Sequence, residues 1–215
     1  MKYPKFPIQK YVAEMFGAFV LSSVVAISIM SHTPVPTQVL AALTLGTFVY
    51  ILGGVSGAHF NPAVTIAMAS IKKINLLDTI MYVLFQLTGG ALAFYFSRHF
   101  LGGTTGIENM TGSATLWKIA LAEAIGAGIL VFGVSGVVSG KVKEDMHGIV
   151  IGSCLLLGIM LTGGLSYGTL NPAVAFGIGV PYTNYVYFVA PIVGGIISAW
   201  FFKALTMGSV KTGKK

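Results

Sequence analysis

The sequence predicts an all-α membrane protein: six transmembrane helices plus two short re-entrant half-helices, arranged as an inverted repeat. Three observations carry this reading. Hydrophobic residues make up 55% of the 215-residue chain and charged residues only 9%, against ~25% charged in an ordinary soluble domain; mean hydropathy is +0.84. Six apolar runs approach the ~20 residues needed to cross a hydrocarbon core of ~30 Å. A nine-residue segment recurs at an offset of 110 residues. Such a composition excludes a water-soluble fold, and it equally excludes disorder, which needs polar and charged residues. The 28 Gly show no three-residue period, which excludes collagen. A single Cys excludes a disulfide framework and a multi-thiolate metal site.

The six runs lie near Tyr11–Met30, Pro36–Leu52, Leu77–Ser97, Leu116–Val138, His147–Leu165 and Asn184–Thr206. The basic Met1–Lys10 precedes the first run, but no small-residue cleavage site closes it, so that span is expected to act as its own insertion signal. Two further apolar stretches begin at Asn61 and Asn171 and run for roughly ten residues each. Ten helical residues reach ~15 Å, half the hydrocarbon thickness. The loops before them, Val55–Phe60 and Leu165–Leu170, are expected to be non-helical. Such backbone is tolerated at membrane depth only beside protein or a wet cavity, where its carbonyls can accept hydrogen bonds from permeating molecules.

The repeat shows in three places. Ser56-Gly-Ala-His-Phe-Asn-Pro-Ala-Val64 resembles Ser166-Tyr-Gly-Thr-Leu-Asn-Pro-Ala-Val174. Ala13-Glu-Met-Phe-Gly17 matches Ala122-Glu-Ala-Ile-Gly126, and Gln86-Leu-Thr-Gly-Gly90 parallels Pro191-Ile-Val-Gly-Gly195. Each copy holds three spans, an odd number, so the second inserts upside down relative to the first. The chain thus reads as one transmembrane channel domain, residues 1–215, with repeats of about 10–100 and 115–207. With the N-terminus inside, eleven of the thirteen basic residues fall on the cytoplasmic side (Lys2, Lys5, Lys10, Lys72, Lys73, Lys141, Lys143, Lys203, Lys211, Lys214 and Lys215), and only Arg98 and Lys118 lie outside. That asymmetry predicts cytoplasmic termini and explains the net charge of +7 without nucleic-acid binding. The expected location is the cell membrane.

Asn-Pro-Ala opens each short helix: Asn61, Pro62 and Ala63 in one, Asn171, Pro172 and Ala173 in the other. Asn is a favoured N-cap, and Pro suits the first helical position, where its missing N–H is not needed. One copy would be an ordinary helix start; two, at matching places in an inverted repeat, are far more specific. Half-helices entering from opposite faces meet by their N-termini near the midplane, each end carrying roughly +0.5 charge. Facing one pore, these ends repel cations, including hydronium. The two Asn amides can donate to a passing oxygen; a water so held points its hydrogens away, which interrupts a proton wire.

Together these residues resemble the aquaporins, the major intrinsic protein family, over the span from Glu14 to about Trp200. The resemblance implies the fold already described, a homotetramer and one pore per subunit, with half-helix dipoles as an established selectivity device of aquaporin-type pores. It also carries the family's outer constriction onto Ala41, Ile159, Gly168 and Val174. Here the chain departs from the pattern. Aquaporins usually place Arg directly after the second Asn-Pro-Ala, where this chain has Val174, and none of the four positions is aromatic, charged or His. Glycerol conductors usually follow that Arg with Asp and carry Pro-Leu before the Pro of the last span; here Ala175 and Tyr187-Phe188 stand instead. Neither the water-selective nor the glycerol-conducting ring is matched.

Glu14 and Glu123 are carboxyl groups inside apolar spans, where charge is expensive. A proton relay is one reading. Bracing of the re-entrant loops is the other, and repeat-symmetric placement and the resemblance favour it. His59, two residues before Asn61, lacks metal partners and reads as a third brace. Gln86 reads as a helix–helix hydrogen bond, Cys154 as a packing residue, and His147 beside Asp145 as either a pH sensor or a solvated loop residue. Four glycine pairs, Gly53/Gly57, Gly136/Gly140, Gly148/Gly152 and Gly164/Gly168, fit close helix packing. Asn109-Met-Thr111 matches a glycosylation sequon by spacing. The leading function is a passive channel for water and small neutral solutes, with ammonia, hydrogen peroxide and gases as candidates. A secondary transporter of a small neutral solute is the alternative, since inverted repeats and broken helices also build those; a structural role in adhesion is a third. No enzyme activity, cofactor or metal is expected.

Overall fold

The computed structural model describes residues 7–31, 33–103, 105, 107 and 115–207. Among the described residues the regular secondary structure is helical: α1 (Ile8–Met30), α2 (Thr37–Ser56), α3 (Pro62–Ser70), α4 (Leu76–Leu101), α5 (Leu116–Val138), α6 (His147–Thr162, after a 3-10 turn at Glu144–Met146), α7 (Pro172–Gly177) and α8 (Val186–Thr206). Six of these are long and apolar enough to cross a membrane, and α3 and α7 are the short ones. Large apolar side chains such as Leu43, Tyr95, Leu161 and Phe201 are exposed on the outside, as a lipid-facing surface requires. The sequon at 109–111 lies outside the described residues, as do Lys2, Lys5, Lys211, Lys214 and Lys215.

Several boundaries differ from the sequence reading, each for a local reason. Helix α2 runs four residues past Leu52 to Ser56, because Gly57 supplies a left-handed cap (φ +88°) whose N–H reaches the Gly53 carbonyl. Val55 and Ser56 are therefore helical, and the first loop is shorter than expected. Helix α6 stops at Thr162, three residues early. Helix α7 has six residues rather than ten. It ends in a Schellman motif: Gly179 has φ +85°, its N–H meets the Phe176 carbonyl, and Val180 N–H meets Ala175.

The long helices pack in equivalent pairs, α1 on α4 and α5 on α8, while α2 lies against α6. Each short helix packs on a long helix of the opposite half, α3 on α8 and α7 on α4. Glycine allows these approaches. A Cβ at Gly89 would collide with the Met15 carbonyl, and one at Gly194 with that of Ala124. Gly90 lies against the Ala173 carbonyl, and Gly195 lies near that of Ala63. Both glycine pairs thus dock one face on a long helix of their own half and the other on the Asn-Pro-Ala helix of the other half. Of the four pairs proposed from sequence, only Gly148/Gly152 sits at a tight contact, against Ala42 and Gly46 of α2. A Cβ on Gly53, Gly140 or Gly164 would touch nothing, and Gly57 and Gly168 serve as positive-φ residues.

Candidate functional site: a cavity between the two short helices

Asn61 and Asn171 adopt nearly the same backbone conformation, φ −153° with ψ 117° and 113°. Asn61 Oδ1 accepts from Ala63 N–H (2.8 Å) and Asn171 Oδ1 from Ala173 N–H (2.9 Å), so each caps its own helix. The amide nitrogens cross over. Asn61 Nδ2 donates to the Leu170 carbonyl and Asn171 Nδ2 to that of Phe60, both at 3.0 Å. An amide nitrogen carries two hydrogens. One is used in this crossed pair, leaving one on each Asn for the cavity that both residues line.

The loops before them are built alike. Ala58 and Phe60 have φ +52° and +47°; Gly168 and Leu170 have +61° and +51°. For residues other than Gly this region costs of order 1–3 kcal/mol each. The buried glutamates offset that cost. Glu14, fully buried, accepts from His59 N–H (3.0 Å), Phe60 N–H (2.6 Å), Ser56 Oγ (2.6 Å) and Gln86 Nε2 (2.7 Å). Glu123, also fully buried, accepts from Thr169 N–H (3.0 Å), Thr169 Oγ1 (2.9 Å) and Leu170 N–H (2.7 Å). His59 lies differently from the sequence reading: its backbone N–H takes part in the brace, while its ring lines the cavity and Nδ1 meets Thr65 Oγ1 at 3.0 Å.

The cavity has a volume of about 310 Å³ and runs between the two halves. Its loop side carries Ala58, His59, Asn61, Ser166, Thr169 and Asn171; the facing wall is apolar, with Leu21, Val25, Leu45, Leu130 and Leu155. Ala41, Ile159, Gly168 and Val174 all line it, and Ile159 flanks Gly168. The four positions thus share one cavity wall, with no polar side chain among them.

Family comparison settles what kind of protein this is. Residues 1–202 match the family described as Major intrinsic protein. The chain belongs to that family. Relatives within it include nodulin-26 of Glycine max, 33% identical over 208 residues that cover 91% of this chain and 77% of nodulin-26. Aquaporin AqpM of Methanothermobacter thermautotrophicus is 31% identical over 175 residues, covering 74% of this chain and 71% of AqpM. The X-ray structure of the aquaglyceroporin from Plasmodium falciparum shares the fold with a TM-score of 0.74 at 22% identity, covering 93% of this chain and 97% of that one. Major intrinsic proteins are channels rather than enzymes, and this member is a multi-pass, passive channel for water and small neutral solutes.

Sequence reasoning missed Thr65 and Tyr82. Thr65 joins Gln86 to His59, and Tyr82 Oη donates to the Ser56 carbonyl (2.6 Å). Thr65 follows Asn61 by one helical turn, a spacing that could have drawn attention to it. Asp78 was also missed; it accepts from Lys10 Nζ, Tyr11 Oη and Asn75 Nδ2, each at 2.7 Å, and ties α1 to the start of α4. His147 meets the Val142 carbonyl (3.3 Å), and Cys154 packs against Gly133.

Proposed function

We propose that solutes pass through the cavity between the two short helices, past Asn61 and Asn171, and that the helix N-termini exclude ions. The carrying observation is the crossed pair of hydrogen bonds from the two Asn amides. It holds two positive helix ends at one place and leaves one N–H on each amide for a permeating oxygen. Ala41, Ile159, Gly168 and Val174 form a wide apolar collar, while Glu14 and Glu123 brace the loops and His59 Nδ1 is held by Thr65. A collar without Arg relaxes steric rejection and offers no hydrogen bond, so it favours compact, weakly hydrated neutral solutes, including ammonia, hydrogen peroxide and dissolved gases. Cation exclusion then rests on the helix ends alone. The chain acts as one domain of two inverted repeats, within a homotetramer of the cell membrane, with both termini cytoplasmic; the equivalent docking of α3 on α8 and α7 on α4 supports the repeat.

The test is stopped-flow light scattering on proteoliposomes containing the wild type, Val174→Arg or Asn171→Asp. Wild-type vesicles shrink faster than protein-free ones. Val174→Arg lowers permeability to solutes larger than water and tightens proton exclusion. Asn171→Asp admits cations, because a carboxylate offsets the positive ends. Cation conductance at the lipid background in Asn171→Asp, with water flow intact, would sink the proposed ion barrier; unchanged solute discrimination in Val174→Arg would move the constriction elsewhere, with Ile159 the next suspect.

A further inference from the structure

The cavity does not end at the collar. It continues outward past Ile29 at the end of α1, Thr37 and Gln38 at the start of α2, Gly163 after α6 and Ile178 after α7. Gln38 precedes Ala41 by three residues, so the two share a face of α2 and Gln38 sits ~4.5 Å nearer the outer mouth. It is half-buried and lines the cavity. Its carboxamide has no hydrogen-bond partner among the described residues, whereas the neighbouring Thr37 hydroxyl oxygen already accepts from Ser28 (3.0 Å). Among the described lining residues, the side chains with N–H donors are Gln38, His59, Asn61 and Asn171. The last three belong to the loops and helix starts at the centre of the molecule, so Gln38 is the N–H donor on the outer side of the collar, beside the Thr37 hydroxyl.

We propose that Gln38 is the specificity-determining residue of the outer mouth and that it selects small neutral amides. This rests on the cavity being the conducting path. A carboxamide offers a carbonyl oxygen and an N–H on one edge. A primary amide or urea offers the complementary edge and makes both bonds at once, keeping its remaining polar groups toward water or the loops. A polyol carries its hydroxyls on separate tetrahedral carbons and cannot match that edge in one plane. Its remaining hydroxyls then enter a collar of Ala41, Ile159 and Val174 without partners, and that is unfavourable. Water is small enough to pass without Gln38. Because a carboxamide is uncharged, it gives anions no advantage, unlike the Arg usual for the family.

The experiment compares wild type, Gln38→Met and Gln38→Ala in liposomes at matched protein density, with water, urea and glycerol fluxes read by light scattering. Met fills similar space without either polar group; Ala widens the mouth. The wild type passes urea faster than glycerol. Both variants lower urea flux by about tenfold, the net worth of one to two hydrogen bonds, and leave water flux within about twofold, which also reports that they fold. A rise in urea flux in Gln38→Ala would mean that width, not hydrogen bonding, governs the mouth. Unchanged urea flux in Gln38→Met, or a parallel loss of urea and water, would overturn the assignment. A wild type that conducts water but prefers glycerol overturns the amide class alone; a wild type indistinguishable from empty liposomes overturns the conducting path itself.

Discussion

The two halves use the same buried glutamate for the same loop, but they support it differently. Glu14 and Glu123 each accept two consecutive backbone N–H groups, those of residues 59 and 60 and of residues 169 and 170. Beyond that the halves diverge. In the first, Gln86 bonds both Glu14 and Thr65, and Thr65 meets the His59 ring. In the second, the positions equivalent to His59, Thr65 and Gln86 are Thr169, Ala175 and Pro191, so the network around Glu123 ends at the hydroxyls of Thr169 and Ser166. Two Asn-Pro-Ala helices held end to end need the same backbone in both loops, and that need fixes the glutamates. It does not fix the side chains behind them. The first half has a polar scaffold with a ring in the cavity; the second has fewer linked side chains, and it also places Gly168 and Val174 on the cavity wall.

The strongest way to break this comparison is to remove each brace. Glu14→Ala and Glu123→Ala each leave four buried or half-buried donors without their acceptor, with Gln86 Nε2 and the Ser56 hydroxyl among the first four and the Thr169 and Ser166 hydroxyls among the second. Each donor left buried and unsatisfied costs ~1–3 kcal/mol. Both variants lose several kcal/mol, and Glu14→Ala loses more because it strands an N–H of the buried Gln86, whereas two of the four Glu123 donors are hydroxyls that can rotate to another acceptor. Yield and melting temperature of the purified protein check the order. A Glu123→Ala protein less stable than Glu14→Ala would show that the second half depends on its brace more than the first. A stably folded protein with altered pH dependence of transport would instead mark a proton relay.

The glycine contacts sharpen the same contrast sterically. A Cβ at Gly90 would fall on the Ala173 backbone carbonyl, which cannot swing away, while a Cβ at Gly195 would meet Val131 Cγ2 at 3.1 Å and the Ala63 carbonyl at 3.3 Å. Overpacking of the first kind typically costs ~1–3 kcal/mol. Gly90→Ala therefore destabilises by about that amount and pushes α7 off α4, whereas Gly195→Ala is absorbed by small shifts. Thermal melts of the two variants decide it; equal losses would mean that both contacts are equally rigid.

Much of this was legible in the sequence because it is written in composition and spacing. Apolar length gives the six spans, and the duplicated Asn-Pro-Ala gives the two short helices. Glu14 and Glu123 stood out because a carboxyl group in an apolar span needs a local partner. What could not be read was contact across elements. Helix α7 ends early because of a cap at Gly179, two residues beyond its last helical residue, and α2 runs long because Gly57 caps it late. Glycine spacing found the close approach at Gly148 and Gly152, but four-residue pairs also arise from caps and loops, and the contacts that dock the short helices use adjacent glycines, 89 with 90 and 194 with 195, which touch different neighbours. Gln38 escaped because a Gln near a helix start looks like any interfacial residue until the cavity is seen beside it.

The smallest expected effect tests whether the polar scaffold of the first half does more than hold a loop. Thr65 is fully buried, and its hydroxyl oxygen serves two partners, Gln86 Nε2 at 2.9 Å and His59 Nδ1 at 3.0 Å. Thr169 Oγ1 serves mainly Glu123, whose two backbone donors remain when that hydroxyl is gone. Thr65→Val keeps the shape but strands one buried N–H of Gln86 and releases the His59 ring, for a cost of ~1 kcal/mol or slightly more. A loss of that size lowers the melting temperature by about 2–4 °C in a chain of this length. Thr169→Val removes a single bond and leaves no N–H stranded, so its shift is smaller. Because the His59 ring faces the cavity, Thr65→Val also changes water permeability at unchanged protein yield. Differential scanning fluorimetry and stopped-flow measurements on the two variants provide the check. Equal shifts in both, with water flux unaltered, would mean that the extra bonds of the first half contribute nothing beyond what the simpler second half achieves.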